Sequence, residues 1–449
     1  MKNKITCYML ISSVLACFFP NAGRGQELTD EMIYMKHHYS IIRELESQKW
    51  ILGVNYDGHQ TIALVDLSGT ANIISRGDGY NKYMIKDIEI VDSRYVYYCG
   101  SRVISYTILP DEHGGWVYTP TWGAMFGCFD LVTFTTPNVS GIDDMVSEKH
   151  IESLDRLEVY RIGEETHLVM VGSMDNGNGL VGDFYGNGAI PTFWSYKYAS
   201  ISGEAFDDVA ISEKYIVISS RNPNSQSYLR SYEIPAIASQ TFFDSPVAQI
   251  KTDISAHDTI LLEYCENDYF ALATTNVRNY NIEVAAFDYN LNFYHALTIP
   301  LSSYATPMSS LRDVKYNKHL QSLAVLEVFP NEDFFSSKIH HISTNNAPPT
   351  SSSIIYGTLY SDERLCSMDY EFHNAGHIVA SGNCPSVSAR IYQHFPYVYS
   401  GCSEGEKTPC SKLNPTRNNY DSFEPRNDEK IASPIEWVAS NWLETIICR

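Results

Sequence analysis

An aspartate recurs along the chain, each time just before or within a short apolar run. The five positions are Asp87, Asp155, Asp208, Asp258 and Asp313. Gathered carboxylates can hold a hard cation such as calcium, which takes several oxygen ligands. A pair of them can also supply the acid and the base of glycoside cleavage. Aspartate also accepts hydrogen bonds from backbone amides in turns. Because the aspartate recurs along the chain, we expect each one to have a structural role as an acceptor of backbone hydrogen bonds. The alternative is that the five carboxylates form an acidic ring that binds calcium.

Aromatic residues accumulate where two repeats carry long insertions, at 110–121 and 175–191. Aromatic faces stack on sugar rings and on peptide side chains. If both insertions lie on one face of the molecule, they form an aromatic rim beside a central channel. We therefore predict a ligand-binding role for Trp116, Tyr118, Trp122, Tyr185, Trp194 and Tyr196. The alternative is that these side chains pack the insertions onto their own repeats.

No nucleophilic or metal-binding motif accompanies these residues. Adjacent histidines such as His340 and His341 point to opposite faces of a strand, so they make no natural two-ligand site. The chain lacks a Gly-x-Ser-x-Gly elbow and any Cys-x-x-Cys spacing. We therefore predict no catalytic residue, and no cofactor other than the candidate calcium.

Positioning these residues requires a repeated strand pair, which is clearest in Ile85–Gly100. One apolar run alternates, a polar turn follows at Asp92–Arg94, and the second run is nearly continuous, which predicts two antiparallel strands. Similar pairs recur elsewhere in the chain, at 49–66, 154–173, 206–220, 257–274, 311–328 and 365–382. The segment 27–47 has a mixed hydrophobic pattern, from which neither a helix nor a strand is predicted.

The recurring pair resembles β-propeller repeats over roughly residues 30–400. The aspartates recur at intervals of about 50 to 70 residues, somewhat longer than the roughly 40 to 50 residues of common propeller blades. The resemblance implies an all-β, seven-bladed β-propeller, with six blades as the alternative, and an innermost strand that lines a channel. It is general, because no family-specific blade motif is present.

The sequence predicts that the chain is divided into three segments. Residues 1–25 read as an export signal, with Lys2 and Lys4 before an apolar core that is too short to span a membrane. A lipid anchor at Cys17 is the alternative to simple cleavage. Residues 26–399 form the propeller. Residues 400–449 form a short C-terminal extension, in which apolar residues at 435, 438, 442 and 446 suggest a helix, with pairing onto the first blade as the alternative.

The net charge indicates which partners are disfavoured, and the cysteine content indicates the redox environment. The formal net charge of −21 disfavours nucleic acid as a partner. Eight of the ten cysteines follow the signal, an even number that suggests disulfides in an exported chain. The pairs suggested by position are Cys99 with Cys128, Cys366 with Cys384, Cys402 with Cys410, and Cys265 with Cys448. Free thiols are the alternative for Cys99 and Cys265.

Together these patterns favour an exported, non-catalytic binding or scaffold protein of a bacterial envelope. It would lie in the periplasm, on the outer surface or outside the cell, without a transmembrane span. The expected ligand is a glycan or a protein. The competing interpretation is a glycan-acting hydrolase with carboxylates at the mouth of the channel.

Overall fold

The computed structural model describes twenty-nine β-strands and the short turns that join many of them. The described residues are 39–46, 49–56, 59–66, 71–76, 83–110, 116–133, 140–141, 151–174, 176–191, 194–222, 226–235, 246–252, 259–276, 279–302, 309–317, 321–331, 334–343, 350–356, 364–370, 378–384, 387–394, 421–423 and 435–439. Among them, no helix has the length and hydrophobicity that crossing a membrane requires.

The strands of the first half form three sheets in chain order. Sheet 1 consists of β1 (Tyr39–Glu46), β2 (Lys49–Tyr56), β3 (His59–Asp66) and β4 (Ala71–Arg76). Sheet 2 consists of β5 (Tyr83–Val91), β6 (Tyr95–Pro110), β7 (Trp116–Asp130) and β8 (Ser140–Gly141). Sheet 3 consists of β9 (Ile151–Ile162), β10 (Glu165–Met174), β11 (Gly179–Asn187) and β12 (Ser195–Ile201).

Four further sheets follow. Sheet 4 consists of β13 (Ala205–Ile211), β14 (Tyr215–Asn222), β15 (Gln226–Glu233) and β16 (Ala248–Thr252). Sheet 5 consists of β17 (Ile260–Glu266), β18 (Tyr269–Asn276), β19 (Asn281–Asp288) and β20 (Phe293–Pro300). Sheet 6 consists of β21 (Ser310–Asn317), β22 (Ser322–Asn331), β23 (Phe334–Ser343) and β24 (Thr350–Tyr356). Sheet 7 consists of β25 (Arg364–Tyr370), β26 (Ile378–Cys384), β27 (Val387–His394), β28 (Asp421–Phe423) and β29 (Ile435–Ala439).

Each of sheets 1 to 6 is an antiparallel meander whose strands pair in chain order. Their first strands, together with β25, contact one another in a closed cycle: β1 with β5, then β9, β13, β17, β21 and β25, which contacts β1. Small sheets arranged in a ring around their first strands are the architecture of a propeller. The chain folds as an all-β propeller.

The strand pair that the sequence marks most clearly is present in sheet 2. Ile85 pairs with Gly100 and Ile90 with Val96, so β5 and β6 are antiparallel. Asp92 and Ser93 have φ angles of 58° and 50°. Positive φ at both central residues suits the right-handed twist of the flanking strands, which is why a tight hairpin forms there.

The hydrophobic core lies between neighbouring sheets. One cluster joins sheets 2 and 3 through Phe126, Leu157 and Phe184, and comparable clusters join sheets 1 and 2, 3 and 4, 4 and 5, and 5 and 6. Sheets 2 to 5 are therefore covered on both faces by their neighbours, so both faces of their central strands are apolar.

Sheet 1 begins earlier than the sequence pattern suggests. The strand pair expected at 49–66 forms β2 and β3, while the innermost strand is β1, in the segment that assigned no element. Ile41 and Ile42 of β1 are both fully buried. Consecutive buried residues hide the alternation that identifies a strand, because this strand is covered on both faces.

The helix expected near the C-terminus is wrong for residues 435–439. These residues form β29, which pairs in parallel with β27 from Ala389–Ile435 to Gln393–Ala439. β29 also pairs with β28, so it joins sheet 7 rather than sheet 1. Backbone pairing along the otherwise open edge of β27 outweighs the weak helical spacing.

The expected disulfide between Cys99 and Cys128 is absent, and both residues are buried free thiols. Cys99 lies opposite Phe126, and Cys128 lies opposite Tyr97. The two cysteines are therefore diagonal neighbours, whose Cβ atoms lie about 7 Å apart rather than the roughly 4 Å of a disulfide. Cys265 is also free. Only the backbone of Cys366 and Cys384 is described, and Cys402, Cys410 and Cys448 lie outside the described residues.

Candidate functional site

Three of the recurring aspartates occupy the same place in their sheets. Each follows a β-bulge in the innermost strand, where one extra residue shifts the register. Each accepts a hydrogen bond from the next N–H of its own strand, at 2.9–3.0 Å, and one from an N–H of the next sheet's innermost strand. The second contacts are Asp87 to Leu157 at 3.1 Å, Asp208 to Leu262 at 2.8 Å and Asp313 to Met368 at 3.0 Å.

These three carboxylates therefore connect adjacent sheets through the backbone, which agrees with the structural role expected of a residue that recurs with the repeat. Asp155 differs, because it is the bulged residue itself and pairs with Lys86 while remaining partly exposed. Arg156 takes the position that follows the bulge in β9. Asp258 lies outside the described residues.

Arg43 of β1 lies among these aspartates. Its Nη2 donates to Asp87 at 2.8 Å, and its Nη1 donates to Ser367 at 2.9 Å and to Asp313 at 3.5 Å. Its Nε donates to the carbonyl of Ile88 at 3.1 Å. Burial disfavours the charged guanidinium, but Asp313 and Asp87 outweigh burial, so the pKa of Arg43 lies above its usual value. One cation thus contacts side chains of sheets 2, 6 and 7.

Charged side chains also bridge the remaining contacts between innermost strands. Arg156 lies 3.6 Å from Asp208, which joins sheets 3 and 4. Glu263 accepts from the N–H of Tyr316 at 3.2 Å, which joins sheets 5 and 6. Asp369 accepts from the N–H of Glu44 at 2.8 Å, which joins sheets 7 and 1. Every neighbouring pair of innermost strands in the cycle therefore has at least one polar link.

This polar layer leaves little free space. Only about 20 Å³ remains among Arg43, Arg156 and the three aspartates, about enough for a single water molecule. Within the described part of the chain, no group of three or more His, Cys, Asp or Glu is arranged to hold a metal ion. Asp87, Asp208 and Asp313 bind the protein's own backbone and arginines, whereas Asp155 pairs with Lys86.

A cavity of about 580 Å³ lies next to this layer. It is lined by residues of the innermost strands, including Glu89 of β5, Glu158 of β9, Glu263 of β17 and Lys315 of β21. These four residues also border the narrow space of the polar layer. The layer therefore forms a floor, and the cavity is a pocket at one end of the channel. The rest of its wall consists of Val159, Tyr160, Ile211, Ile234 and Tyr264, together with the polar residues Arg161, Ser212 and Glu213.

Three of the four glutamates that line this pocket hold protons unusually well. Burial raises the pKa of Glu89 and that of Glu263 to about 7, against the opposing attraction of Lys315. Burial, followed by the charge of Glu89, raises the pKa of Glu158 well above its usual value. Burial and Arg43 lower the pKa of Lys315, but Glu263 and Asp313 outweigh them, so it stays a cation. At neutral pH the pocket therefore contains carboxyls that can donate or accept a proton.

Sequence reasoning did not find these pocket residues. Glu89 and Lys315 follow Asp87 and Asp313 by two positions, and Glu158 follows Arg156 by two. Because side chains alternate along a strand, a residue two positions on points to the same side. The sequence feature that could have identified them is a second charged residue, two positions after the repeated aspartate or after Arg156, within a largely apolar strand.

Of the six aromatic residues expected to form a rim, Trp122, Tyr185, Trp194 and Tyr196 do not line this pocket. Trp194 packs edge-on against Phe126, with ring centroids 5.2 Å apart. Tyr185 stacks on the buried His167 at 5.4 Å. Tyr196 stacks near Phe184 at 6.0 Å. These three side chains therefore pack against their own or the neighbouring sheet.

The other three aromatic residues lie along β7. Trp122 is half-buried and pairs with Val103 across the hairpin of β6 and β7. Trp116 and Tyr118 lie further out on the same strand, where only the backbone is described. β6 and β7 continue past the end of β5, so these positions project from sheet 2.

Comparison with known proteins finds likenesses at low sequence identity. No family model and no curated protein matches the sequence. Hsv2 of Kluyveromyces lactis is similar at 10% identity over 76% of this chain and 90% of that one, with a TM-score of 0.41. An uncharacterized protein of Listeria monocytogenes is similar at 11% identity over 77% of this chain and 89% of that one, with a TM-score of 0.42.

A peptidase also resembles this chain. Prolyl oligopeptidase B from Galerina marginata is 7% identical over 80% of this chain and 49% of its own, with a TM-score of 0.42. This chain therefore spans about half of that enzyme's length. These likenesses concern the fold alone.

Proposed function

We propose that this protein is an exported, non-catalytic binding or scaffold propeller that binds a glycan or a protein segment in the pocket at the end of its channel. The pocket itself is the observation that carries the proposal. It is floored by an ion network, its volume is about 580 Å³, and it combines carboxyls, a lysine, tyrosines and aliphatic side chains. Such a mixture of apolar surface and a few convergent polar groups is typical of ligand sites.

We also propose seven blades, one for each sheet, as the sequence predicts. The closed cycle of contacts among the seven innermost strands supports this number. A ring of five blades would leave two of these sheets outside it, although each of the seven innermost strands contacts its two neighbours in the cycle and Arg43 of sheet 1 reaches both Asp87 and Asp313. Class averages from electron microscopy that show five lobes would contradict the proposal.

Export is part of the proposal and rests on residues 1–25. The mature chain begins near Gln26, or at Cys17 if that residue carries a lipid. Intact-mass measurement of the protein from a bacterial envelope distinguishes the two, because a diacylglycerol on Cys17 adds a mass that cleavage near Gln26 cannot explain.

The binding site is tested by screening the purified mature protein on glycan and peptide arrays, with and without calcium. Glu158→Gln changes a carboxyl of the pocket, and Glu152→Gln changes an exposed carboxyl of the same strand. We expect Glu158→Gln to weaken the best array ligand about tenfold, because the amide cannot reproduce a hydrogen bond that the carboxyl makes to the ligand. Glu152→Gln should leave affinity unchanged. Equal affinities for both variants would place the site elsewhere.

A hydrolase is the second candidate, favoured by the proton-holding glutamates. Two carboxyls with separated proton affinities are the machinery of glycoside cleavage. If the protein releases reducing sugar from a glycan that it binds, and Glu158→Gln and Glu263→Gln abolish release while binding persists, the hydrolase replaces the binding module. We expect binding without release.

A further inference from the structure

The hairpin of β6 and β7 continues outward as a two-stranded ribbon, which we define as residues 103–110 and 116–122. The pairing runs from Val103–Trp122 to Pro110–Trp116. β5 stops pairing with β6 at Tyr83–Arg102, and β8 pairs with β7 only at Met125 and Phe126. Among the described strands, the ribbon therefore has no third strand beside it.

The two faces of the ribbon differ in chemistry. Directly paired residues share a face, and successive pairs alternate. One face carries the pairs Tyr106–Pro120, Ile108–Tyr118 and Pro110–Trp116, and the other carries Ser105–Thr121, Thr107–Thr119 and Leu109–Val117. The first is uniformly apolar or aromatic, whereas the second is mostly hydroxylated. We call the first the apolar face.

The apolar face lies in solvent where its side chains are described. Tyr106 is 41% exposed and Ile108 is 52% exposed. A two-stranded ribbon in water is only marginally stable without a surface to pack against. Contiguous exposed apolar surface of this kind marks a place where another molecule binds.

The negative charge of the chain disfavours some of the possible binding partners of the apolar face. The apolar face itself contains no charged residue, but the segment that joins its strands contains Asp111 and Glu112, and the whole chain carries −21. A second copy and an anionic lipid surface would both be repelled. A glycan would need hydrogen-bonding side chains around the contact, and this face supplies few.

We propose that the apolar face of the ribbon docks a second protein, through an apolar surface rimmed by lysine or arginine. Trp116 and Tyr118 contribute to this surface by their positions in the register. Aromatic and aliphatic residues at the centre with charges at the rim are the usual composition of such interfaces. The docking surface is separate from the pocket and does not depend on what the pocket binds.

The test uses a ten-residue peptide that alternates leucine and lysine, and a matched leucine–glutamate peptide, each labelled for fluorescence anisotropy with the full mature protein. Ile108→Ser removes a side chain from the apolar face. Leu109→Ser is the matched control, because Leu109 is 55% exposed on the opposite face. Both variants should keep the wild-type melting curve, since neither side chain is buried.

We expect the leucine–lysine peptide to bind, the leucine–glutamate peptide to bind at least tenfold more weakly, and Ile108→Ser to weaken the first peptide about tenfold. Leu109→Ser and Glu158→Gln should change its affinity less than twofold. Equal loss in Ile108→Ser and Leu109→Ser, or no binding of either peptide, would overturn the proposal. So would a dimer in light scattering, or flotation with phosphatidylglycerol vesicles, that Ile108→Ser abolishes.

Discussion

Replacing Arg43 with alanine should strongly destabilise the ring. The guanidinium hydrogen-bonds to Asp87 at 2.8 Å and to Ser367 at 2.9 Å, and it lies 3.5 Å from Asp313. Its removal leaves two buried carboxylates without their cation. Breaking a buried ion pair from one side costs about 3–5 kcal/mol, because the remaining charge stays desolvated. We expect Arg43→Ala to lower the free energy of unfolding by that amount.

Urea unfolding followed by tryptophan fluorescence and by far-UV circular dichroism measures the effect and checks that both probes report one transition. Arg161→Ala is the matched control, since its partner Asp92 is largely exposed, and such pairs contribute about 0–1 kcal/mol. Adding Asp87→Asn and Asp313→Asn to Arg43→Ala should restore part of the loss, because amides need no counter-charge. A loss for Arg43→Ala no larger than that of the control would refute the reasoning.

Two further predictions concern the pocket and the packing of sheet 3. The folded-state pKa of Glu263 is raised from 4.5 to about 7, so between these pH values the folded protein binds more protons than the unfolded chain. Stability should therefore fall as pH rises from about 4.5 to 7. Glu263→Gln should flatten this slope in thermal melts, and an unchanged slope would contradict the assignment. Gly172→Ala should lower the melting temperature sharply, because an added Cβ would lie 2.0 Å from the carbonyl oxygen of Ser153. Gly163→Ala, with φ of 61° and nothing within 4 Å, should cost only about 1 kcal/mol of backbone strain, and equal melting temperatures for the two variants would show that the strand contact relaxes freely.

Local patterns predicted the elements whose signal is local. The hairpin of β5 and β6 followed from alternation and from a turn at Asp92, and the same reasoning located the inner strand pairs of the later sheets. β1 was missed because it is buried on both faces, and with it Arg43 was missed. The strand at Ile435–Ala439 was missed because its partner β27 is about forty residues away in sequence, and pairing at that distance leaves no periodic trace.

The candidate site was predicted less well, for a geometric reason. The sequence pattern identifies the recurring aspartates, but it predicts Asp155 as the equivalent residue of β9, whereas the strand register places Arg156 there. A bulge shifts the register by one residue, and no residue type marks it here. The pocket glutamates Glu89, Glu158 and Glu263 are 69 and 105 positions apart in sequence, and they meet only after the ring closes.

The polar links between innermost strands bear on how this sequence can change. The circumference of the ring is set in one thin layer, by side chains such as Asp87, Asp313 and Arg43 that bind backbone or each other. Outer strands need only remain apolar where neighbouring sheets touch. The blades can therefore drift apart in sequence while the ring keeps its size, which accounts for repeats that share little more than an aspartate. Glu263 belongs to both the layer and the pocket, so under the proposed function ligand binding and ring closure constrain the same residue.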